Sequence, residues 1–233
     1  MSNIHDVRRR EIKYRVAFDN ASRAKQYIGK VLQGDPHNGS DGYLVRSLYF
    51  DTLWNRDLEE KKDGLESRRK IRLRVYSPEA TTAKLELKEK QGLWQHKRSI
   101  TIPRDMALHL TTGDYTSLAR MQLPLAQQLY RFMSEQMYRP KCIVQYRRYA
   151  FIVPANDIRI TFDSKLMATE GYLDLYRDDA FLYPVGWPDD VTLEVKYNHF
   201  LFSYIKDLLD DIDKVPVSYS KYVMSRFMTH SLE

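Results

Sequence analysis

From residue 68 to residue 76 the chain reads RRKIRLRVY. Arg68, Lys70, Arg72 and Arg74 occupy every second position, with Arg69, Ile71, Leu73 and Val75 between them. A β-strand sends successive side chains to opposite faces, so this stretch has one cationic face and one largely apolar face. The same alternation recurs along the chain. EIKYRV sets Glu11, Lys13 and Arg15 against Ile12, Tyr14 and Val16, and KLELKEK sets Lys84, Glu86, Lys88 and Lys90 against Leu85 and Leu87. IRITFD carries Arg159, Thr161 and Asp163 on one side, and VTLEVKY carries Thr192, Glu194 and Lys196. With LVRSLYFD (44–51), WQHKRSITI (94–102) and IVQYRRYAFIV (143–153), eight strand-like segments emerge, several joined by short polar links such as SPEATT and KQGLWQ. Such links imply antiparallel neighbours.

A polar strand face ordinarily meets water, but such faces mix both signs with Thr, Ser and Gln. Here long cations recur on most strands, and like charges facing each other across a ladder are destabilising. Closing the eight strands into an antiparallel barrel resolves both faces. Apolar residues then point outward beneath helices, and charged residues point into a lumen that an eight-stranded barrel leaves just wide enough for side chains or one small ligand. A Lys/Arg-lined lumen suits a narrow, linear, densely anionic ligand such as a polyphosphate chain or a nucleoside triphosphate, and is too narrow for a nucleic-acid duplex. Arg grips phosphate bidentately and Lys acts as a point charge. The carboxylates Glu11, Glu86 and Glu194 are candidates to hold a divalent cation that bridges phosphate oxygens.

Amphipathic stretches at 21–32 (behind Asn20 as N-cap), 124–137 (opening on Pro124), 199–213 and about 218–229 supply the helices, while 32–43 and 55–67 read as exposed loops or frayed helix. The expected architecture is a single α+β domain over 1–233, a closed antiparallel eight-stranded barrel with its helices packed outside. Among 233 residues, 37 Lys and Arg against 31 Asp and Glu give a net charge of +6, which points to an anionic partner only because the cations are concentrated on strand faces. No run of apolar residues is long enough to span a membrane and no secretory leader is visible. The single cysteine, Cys142, rules out an internal disulfide and fits a reducing, cytoplasmic setting. The six histidines show no metal-ligand spacing.

The ordered motifs EIKY (11–14), SLYFD (47–51), RRKIRLRVY (68–76), LELKEK (85–90), RRYAF (147–151), RITFD (159–163), LEVKY (193–197) and SYSKY (218–222) make the chain resemble the VTC domain, the catalytic domain of polyphosphate polymerases. That family belongs to the wider group of triphosphate tunnel metalloenzymes. The resemblance implies a phosphate tunnel in which Lys13, Arg72, Arg74, Lys88, Arg148, Arg159 and Lys221 contact phosphate, Ser220 adds a hydroxyl and Glu194 holds Mn²⁺ or Mg²⁺. Lys97 matches a further tunnel lysine, with Arg98 as its rival. Arg15, Lys70 and Lys196 join the phosphate-binding set by alternation alone, and Glu11 and Glu86 join the metal set in the same way. Arg72, Arg74, Lys88, Arg148 and Arg159 are the residues expected to carry catalysis.

Hydrolytic tunnel enzymes usually open with Glu-x-Glu-x-Lys. Here Arg9 stands where the first of those glutamates belongs, ahead of Glu11 and Lys13. That departure favours the polymerase branch, in which ATP donates its γ-phosphoryl group to a growing polyphosphate chain, over a triphosphatase. The fungal vacuolar polymerase also carries an SPX domain and membrane segments that have no counterpart here, so any coupling to translocation needs a separate membrane partner. A non-catalytic anion-binding tunnel is the other alternative. An RNA-binding sheet is more distant, because the aromatic residues alternate onto the apolar face.

Overall fold

The computed structural model describes residues 4–218 and 220–230. Among them, eight long strands form one closed antiparallel barrel. They are β1 (His5–Ala17), β2 (Tyr43–Thr52), β3 (Arg68–Val75), β4 (Thr82–Gln91), β5 (Trp94–Pro103), β6 (Tyr138–Val153), β7 (Ile158–Thr169) and β8 (Asp190–Tyr197). Hydrogen-bonded neighbours run β1-β5-β4-β3-β2-β6-β7-β8 and return to β1. The eight alternating segments of the sequence are these eight strands. Two-residue bridges at Gln33–Gly34, Tyr183–Pro184 and Val215–Pro216 decorate the edges.

The apolar half of each alternation is buried outside the barrel, in two clusters. Leu48, Phe50, Ile71, Leu73, Leu85, Leu87, Ile100 and Ile102 pack beneath helices α3 (Arg104–Thr111), α4 (Thr116–Ala119) and α5 (Pro124–Glu135). Around the other side, Ile160, Phe162, Leu193 and Val195 pack beneath α1 (Phe18–Ile28) and α6 (Ser203–Asp210). The α3 and α4 segments are too short and too mixed in polarity to stand out in the sequence. In α1 the helix begins earlier than its periodicity suggests: Ala17 is the cap, Asn20 lies inside, and Tyr27 and Val31 are exposed while Ala24, Ile28 and Leu32 are buried. The acidic run 207–213 behaves as read, with Leu208, Leu209 and Ile212 buried between exposed aspartates.

The last helix differs from the others in the strand face it meets. Helix α7 (Lys221–His230) packs against residues of the lumen-facing set on β2 and β6: Tyr222 stacks on Tyr49 with ring centres 5.1 Å apart, and the Ser225 hydroxyl lies 3.3 Å from the Cys142 sulfur. Val45, Tyr49, Cys142, Val144 and Tyr146 share the parity of Ser47 and Arg148 and form a third apolar cluster with Tyr222 and with Leu58 of α2 (Arg56–Lys62). One sector of the barrel interior is therefore apolar and filled by a helix, which narrows the charged lumen.

Of the two alternatives for segment 55–67 the helical one holds, over Arg56–Lys62. The buried Asp51 carboxylate accepts the amides of Thr52, Asp57 and Leu58 at 2.7, 2.9 and 3.0 Å, capping α2, and takes the Tyr222 hydroxyl at 2.7 Å. A carboxylate at a helix N-terminus is favoured by the dipole as well as by these bonds. Segment 32–43 is likewise held. Asn38 bonds both backbone groups of Ala150 at 2.8 Å, and Gly42 has φ +75°, where an added Cβ would sit 2.3 Å from the Arg148 carbonyl oxygen. No helix among the described residues is long and apolar enough to cross a membrane.

Replacing Asp51 with Ala strands a buried hydroxyl and three amides. A loss of about 3 kcal/mol is expected, which lowers the melting temperature of a chain this size by about 6–12 °C in a thermal melt followed by circular dichroism.

Candidate functional site

The charged half of the alternation converges on a cavity of about 1000 Å³. The strand registers place its contributors in tiers. Arg68, Lys70, Arg72 and Arg74 of β3 stand opposite Lys90, Lys88, Glu86 and Lys84 of β4, and Lys97 of β5 stands opposite Lys88. On the far wall, Glu11 and Lys13 of β1 face Lys196 and Glu194 of β8, and Arg159 of β7 pairs with Lys196. Lys13, Lys70, Arg72, Arg74, Lys88, Lys97, Arg148, Arg159, Lys196, Ser220 and Lys221 all line this one cavity, together with Glu11 and Glu194. Arg15 does not. It is exposed near the end of β1, beside the Val215–Pro216 bridge, and is no part of the lumen. Of the rivals Lys97 and Arg98, Lys97 lines the cavity; Arg98 does not, and donates to Gln128 and to Glu89 at its margin, both at 2.8 Å.

Carboxylates hold these cations together. Glu86, with no solvent exposure, takes Arg72 Nε and Lys97 Nζ at 2.6 Å, with Arg74 at 3.8 Å. Burial opposes its charge, but those three cations overcome it and keep the carboxyl well below its ordinary range. Glu194 accepts from Lys196 and lies 3.2–3.5 Å from Lys221, Lys13 and Arg148. Asp163 binds Arg148 through two bonds at 2.7 and 2.8 Å and meets Lys221 at 2.7 Å. Glu11 pairs with Lys88 at 2.9 Å and Lys13 at 3.2 Å. Where carboxylates dominate, the ammonium is strengthened: burial weakens Lys13 and Lys221, yet Glu194 with Glu11, and Asp163 with Glu194, raise both above the lysine norm. Elsewhere burial wins. It pulls Lys196 down to about 7 and Lys97 to about 8 despite their glutamate neighbours, and depresses Lys70, which repulsion from Lys13, Lys88, Lys61 and Arg68 lowers further. Lys70 donates to the Ser220 hydroxyl at 2.6 Å.

Several lumen residues fall outside the set read from the sequence. Asp163 sits on the same strand face as Arg159, so alternation already pointed to it. Arg9, Lys84, Lys90 and Arg68 carry the same period-two signal. Asp35 had none, because it arrives on a loop; its carboxylate takes Arg159 Nη2 at 2.5 Å and the His37 amide and ring nitrogen at 3.0 and 2.8 Å. Tyr49 and Tyr146 accept from Arg72 and Arg74 at 3.0 and 3.4 Å, and Lys61 enters from α2, donating to the Ser218 carbonyl at 2.7 Å.

For a divalent cation the donor set is partial. Glu11 and Glu194 flank one ammonium, Lys13, at 3.2 and 3.4 Å, so the pair fits a hard cation that takes the place of that ammonium and its remaining ligands from phosphate. Both oxygens of all three carboxylates are engaged by cations, and Glu86, held by Arg72, Arg74 and Lys97, shares no ammonium with the other two. Among the described residues no cluster of three or more Asp, Glu, His or Cys side chains could hold a metal alone.

The VTC domain family model matches residues 8–230, and the chain belongs to that family. No curated protein matches this chain. Among solved structures it is similar to a candidate adenylate cyclase from Bacillus halodurans (13% identity, 91% of this chain and 96% of that one covered, TM-score 0.53). It is also similar to a candidate adenylyl cyclase from Hippeastrum with a dominant triphosphatase activity (16% identity, 94% and 96% covered, TM-score 0.54). A chain of the Schizosaccharomyces pombe Mediator head module matches as well (9% identity, 91% and 100% covered, TM-score 0.50). At these identities the likeness is one of fold.

Two binding outcomes follow from the geometry. Arg15→Ala leaves the dissociation constant for inorganic tripolyphosphate within about twofold, whereas Arg72→Ala raises it about tenfold or more, read by isothermal titration calorimetry. Because Lys97 is depressed to about 8, the folded chain holds fewer protons than the unfolded one between there and the usual lysine value of 10.5, so ligand-free stability rises with pH across that window. A polyanion reverses this by restoring the ammonium. ATP, whose terminal phosphate is ionised above pH about 6, is therefore expected to draw protons in on binding at pH 8, seen as a binding enthalpy that varies with the buffer's ionisation enthalpy.

Proposed function

We propose that this chain is a polyphosphate polymerase: it transfers the γ-phosphoryl group of ATP to the end of an inorganic polyphosphate chain and releases ADP. The observation that carries the reading is Arg9 in the lumen wall, where a hydrolytic tunnel enzyme has a metal-binding glutamate, joined to a row of cations longer than one triphosphate needs. The row runs from Arg159 and Lys84 at one end of the strands to Lys61, Arg68 and Lys90 at the other. A terminal phosphate oxygen of the acceptor attacks the γ-phosphorus, the bond from that phosphorus to the β–γ bridging oxygen breaks, and ADP departs with the electron pair. No protein nucleophile is required.

Such a transfer depends on placement and on stabilising charge at the equatorial oxygens. Arg72, Arg74, Arg148 and Arg159 supply forked donors for those oxygens, while Lys13, Lys70, Lys88, Lys97, Lys196 and Lys221 neutralise charge and Ser220 adds a hydroxyl. Glu11 and Glu194 would hold Mn²⁺ or Mg²⁺ together with the substrate's phosphates, and the ion, when bound, lowers the charge on the reacting phosphoryl group. Lumen width argues against nucleic acid as the ligand. The second reading, a triphosphatase, is favoured by the Hippeastrum protein's activity, which bears on this chain through fold alone.

Incubating the purified protein with ATP and Mn²⁺ and following ³¹P NMR separates the readings. The expected result is growth of an internal-phosphate resonance together with ADP, and loss of about two or three orders of magnitude in rate for Arg148→Ala. Orthophosphate release without chain growth would falsify the polymerase reading in favour of hydrolysis.

A further inference from the structure

The two ends of the lumen differ in chemistry. Where β3 starts and β4 ends, the lining includes Lys61, Arg68, Lys70 and Lys90 with Glu89 and Ser218, and among the described residues no aromatic ring lines the cavity there, Phe227 lying beyond the mouth in a separate shallow pocket. Where β2 starts and β3 ends, the lining changes to Tyr43, Tyr76, His37 and Asp35 around Arg159 and Lys84. The Tyr43 and Tyr76 ring centres lie 6.0 Å apart, and His37 stands edge-on to Tyr43 at 6.3 Å. These rings are held and partly wet: Tyr76 is 42% exposed, and the His37 side chain is 82% exposed while Asp35 fixes its Nδ1. Lys84 Nζ lies 5.6 Å from the Tyr76 ring centre.

Arg159 joins the two chemistries. One nitrogen, Nη2, donates to the Tyr43 hydroxyl at 2.9 Å and to Asp35 at 2.5 Å, so the last guanidinium of the phosphate row is tied directly to a ring and a carboxylate. An inorganic phosphate chain running out of this end would meet the electron-rich faces of two tyrosines and a buried aspartate, all of which disfavour an anion. A ligand anionic at one end and aromatic at the other meets matching groups throughout. Phosphates lie along the arginines, a flat π-system covers the exposed tyrosine face, and hydroxyl or amino groups fall beside His37 and Asp35.

We propose that this end of the lumen is a nucleoside seat: the base of a nucleoside triphosphate stacks at Tyr76 and Tyr43, and His37 and Asp35 face the polar groups of base and sugar. The seat sets the direction of the tunnel, with the nucleotide entering at the aromatic end and inorganic phosphate chain occupying the lysine-rich end. It also separates ATP from inorganic tripolyphosphate, which presents the same phosphates without a ring. This deepens the polymerase reading and rests on it for the identity of the phosphoryl donor.

The test is binding, independent of turnover. Calorimetric titrations with β,γ-imido-ATP and with inorganic tripolyphosphate are made on the native chain, Tyr76→Ala and Tyr76→Phe, with melting temperatures as the control for folding. Aromatic–base stacking predicts that Tyr76→Ala weakens imido-ATP about tenfold while tripolyphosphate stays within about twofold, and that Tyr76→Phe, which keeps the ring, restores the native value. Equal losses for both anions, no loss for either, or failure of the native chain to bind imido-ATP overturns the seat. Selective loss of imido-ATP in a protein that makes no polyphosphate leaves the seat standing and removes only the polymerase.

Discussion

Everything in this molecule depends on sharing buried carboxylates among a larger number of buried cations. Glu86, Glu194, Asp163 and Glu11 each contact two or more Lys or Arg side chains, and Lys13 and Lys221 in turn each bridge two carboxylates. Burying an ion pair brings little net stability, but removing one partner leaves an uncompensated charge that costs several kcal/mol. The carboxylates are therefore the condition on which a strand set with this pattern can close at all. They neutralise the lumen only in part, and the surplus is what an anion would find. The outward faces supply the favourable burial that carries the cost: two apolar clusters beneath helices, with Leu73, Leu85, Ile160 and Leu193 fully buried.

How much of this could be read in advance follows from how local each signal is. Side-chain period is a property of consecutive residues, so the eight strands, their lumen faces and Lys13, Arg72, Arg74, Lys88 and Arg159 were legible directly. Asp163 was legible on the same ground, since it shares the strand face of Arg159 and Thr161. Arg15 shows where period stops being sufficient: it has the parity of Lys13, but its end of β1 extends past the cavity into solvent. Asp35 had no signal, since its loop reaches the lumen through tertiary placement alone, whereas Tyr76 continues the parity of Arg72 and Arg74. Glu86 carries the parity of a lumen carboxylate, but its consumption by three cations depends on contacts from two neighbouring strands.

The inward position of α7 has the same origin. Its apolar stripe is ordinary and calls for a partner surface without saying which. The answer lies in β2 and β6, whose lumen-parity residues include Val45, Tyr49, Val144 and Tyr146 in place of Lys and Arg. An apolar patch inside a barrel must be covered, and Tyr222 of α7 covers it while bonding Asp51. That docking delivers Lys221 to Asp163 and Glu194 and sets Ser220 beside Lys70. The helix is thus at once the plug of the apolar sector and the scaffold of two lumen groups.

On the polymerase reading, the distribution of Arg and Lys answers a mechanical difficulty. A chain that grows by one phosphate per cycle must be gripped at the reacting centre yet slide elsewhere. Guanidinium forks hold a phosphate in one orientation, whereas an ammonium on a four-carbon stem follows a moving charge with little directional preference. The forks Arg72, Arg74 and Arg148 are anchored by Glu86 and Asp163, and Arg159 by Asp35. At the end without aromatic rings the lining cations are chiefly lysines, Lys61, Lys70, Lys88 and Lys90, joined by Arg68. Lys70 there is bonded to a hydroxyl and not to a carboxylate. The same barrel occurs in a Mediator chain and in cyclase-like proteins, so the fold does not dictate this arrangement. It lies in what each cation is tethered to: carboxylates hold the forks of Arg72, Arg74, Arg148 and Arg159, whereas Lys61 and Lys70 at the other end are bonded to a carbonyl and a hydroxyl.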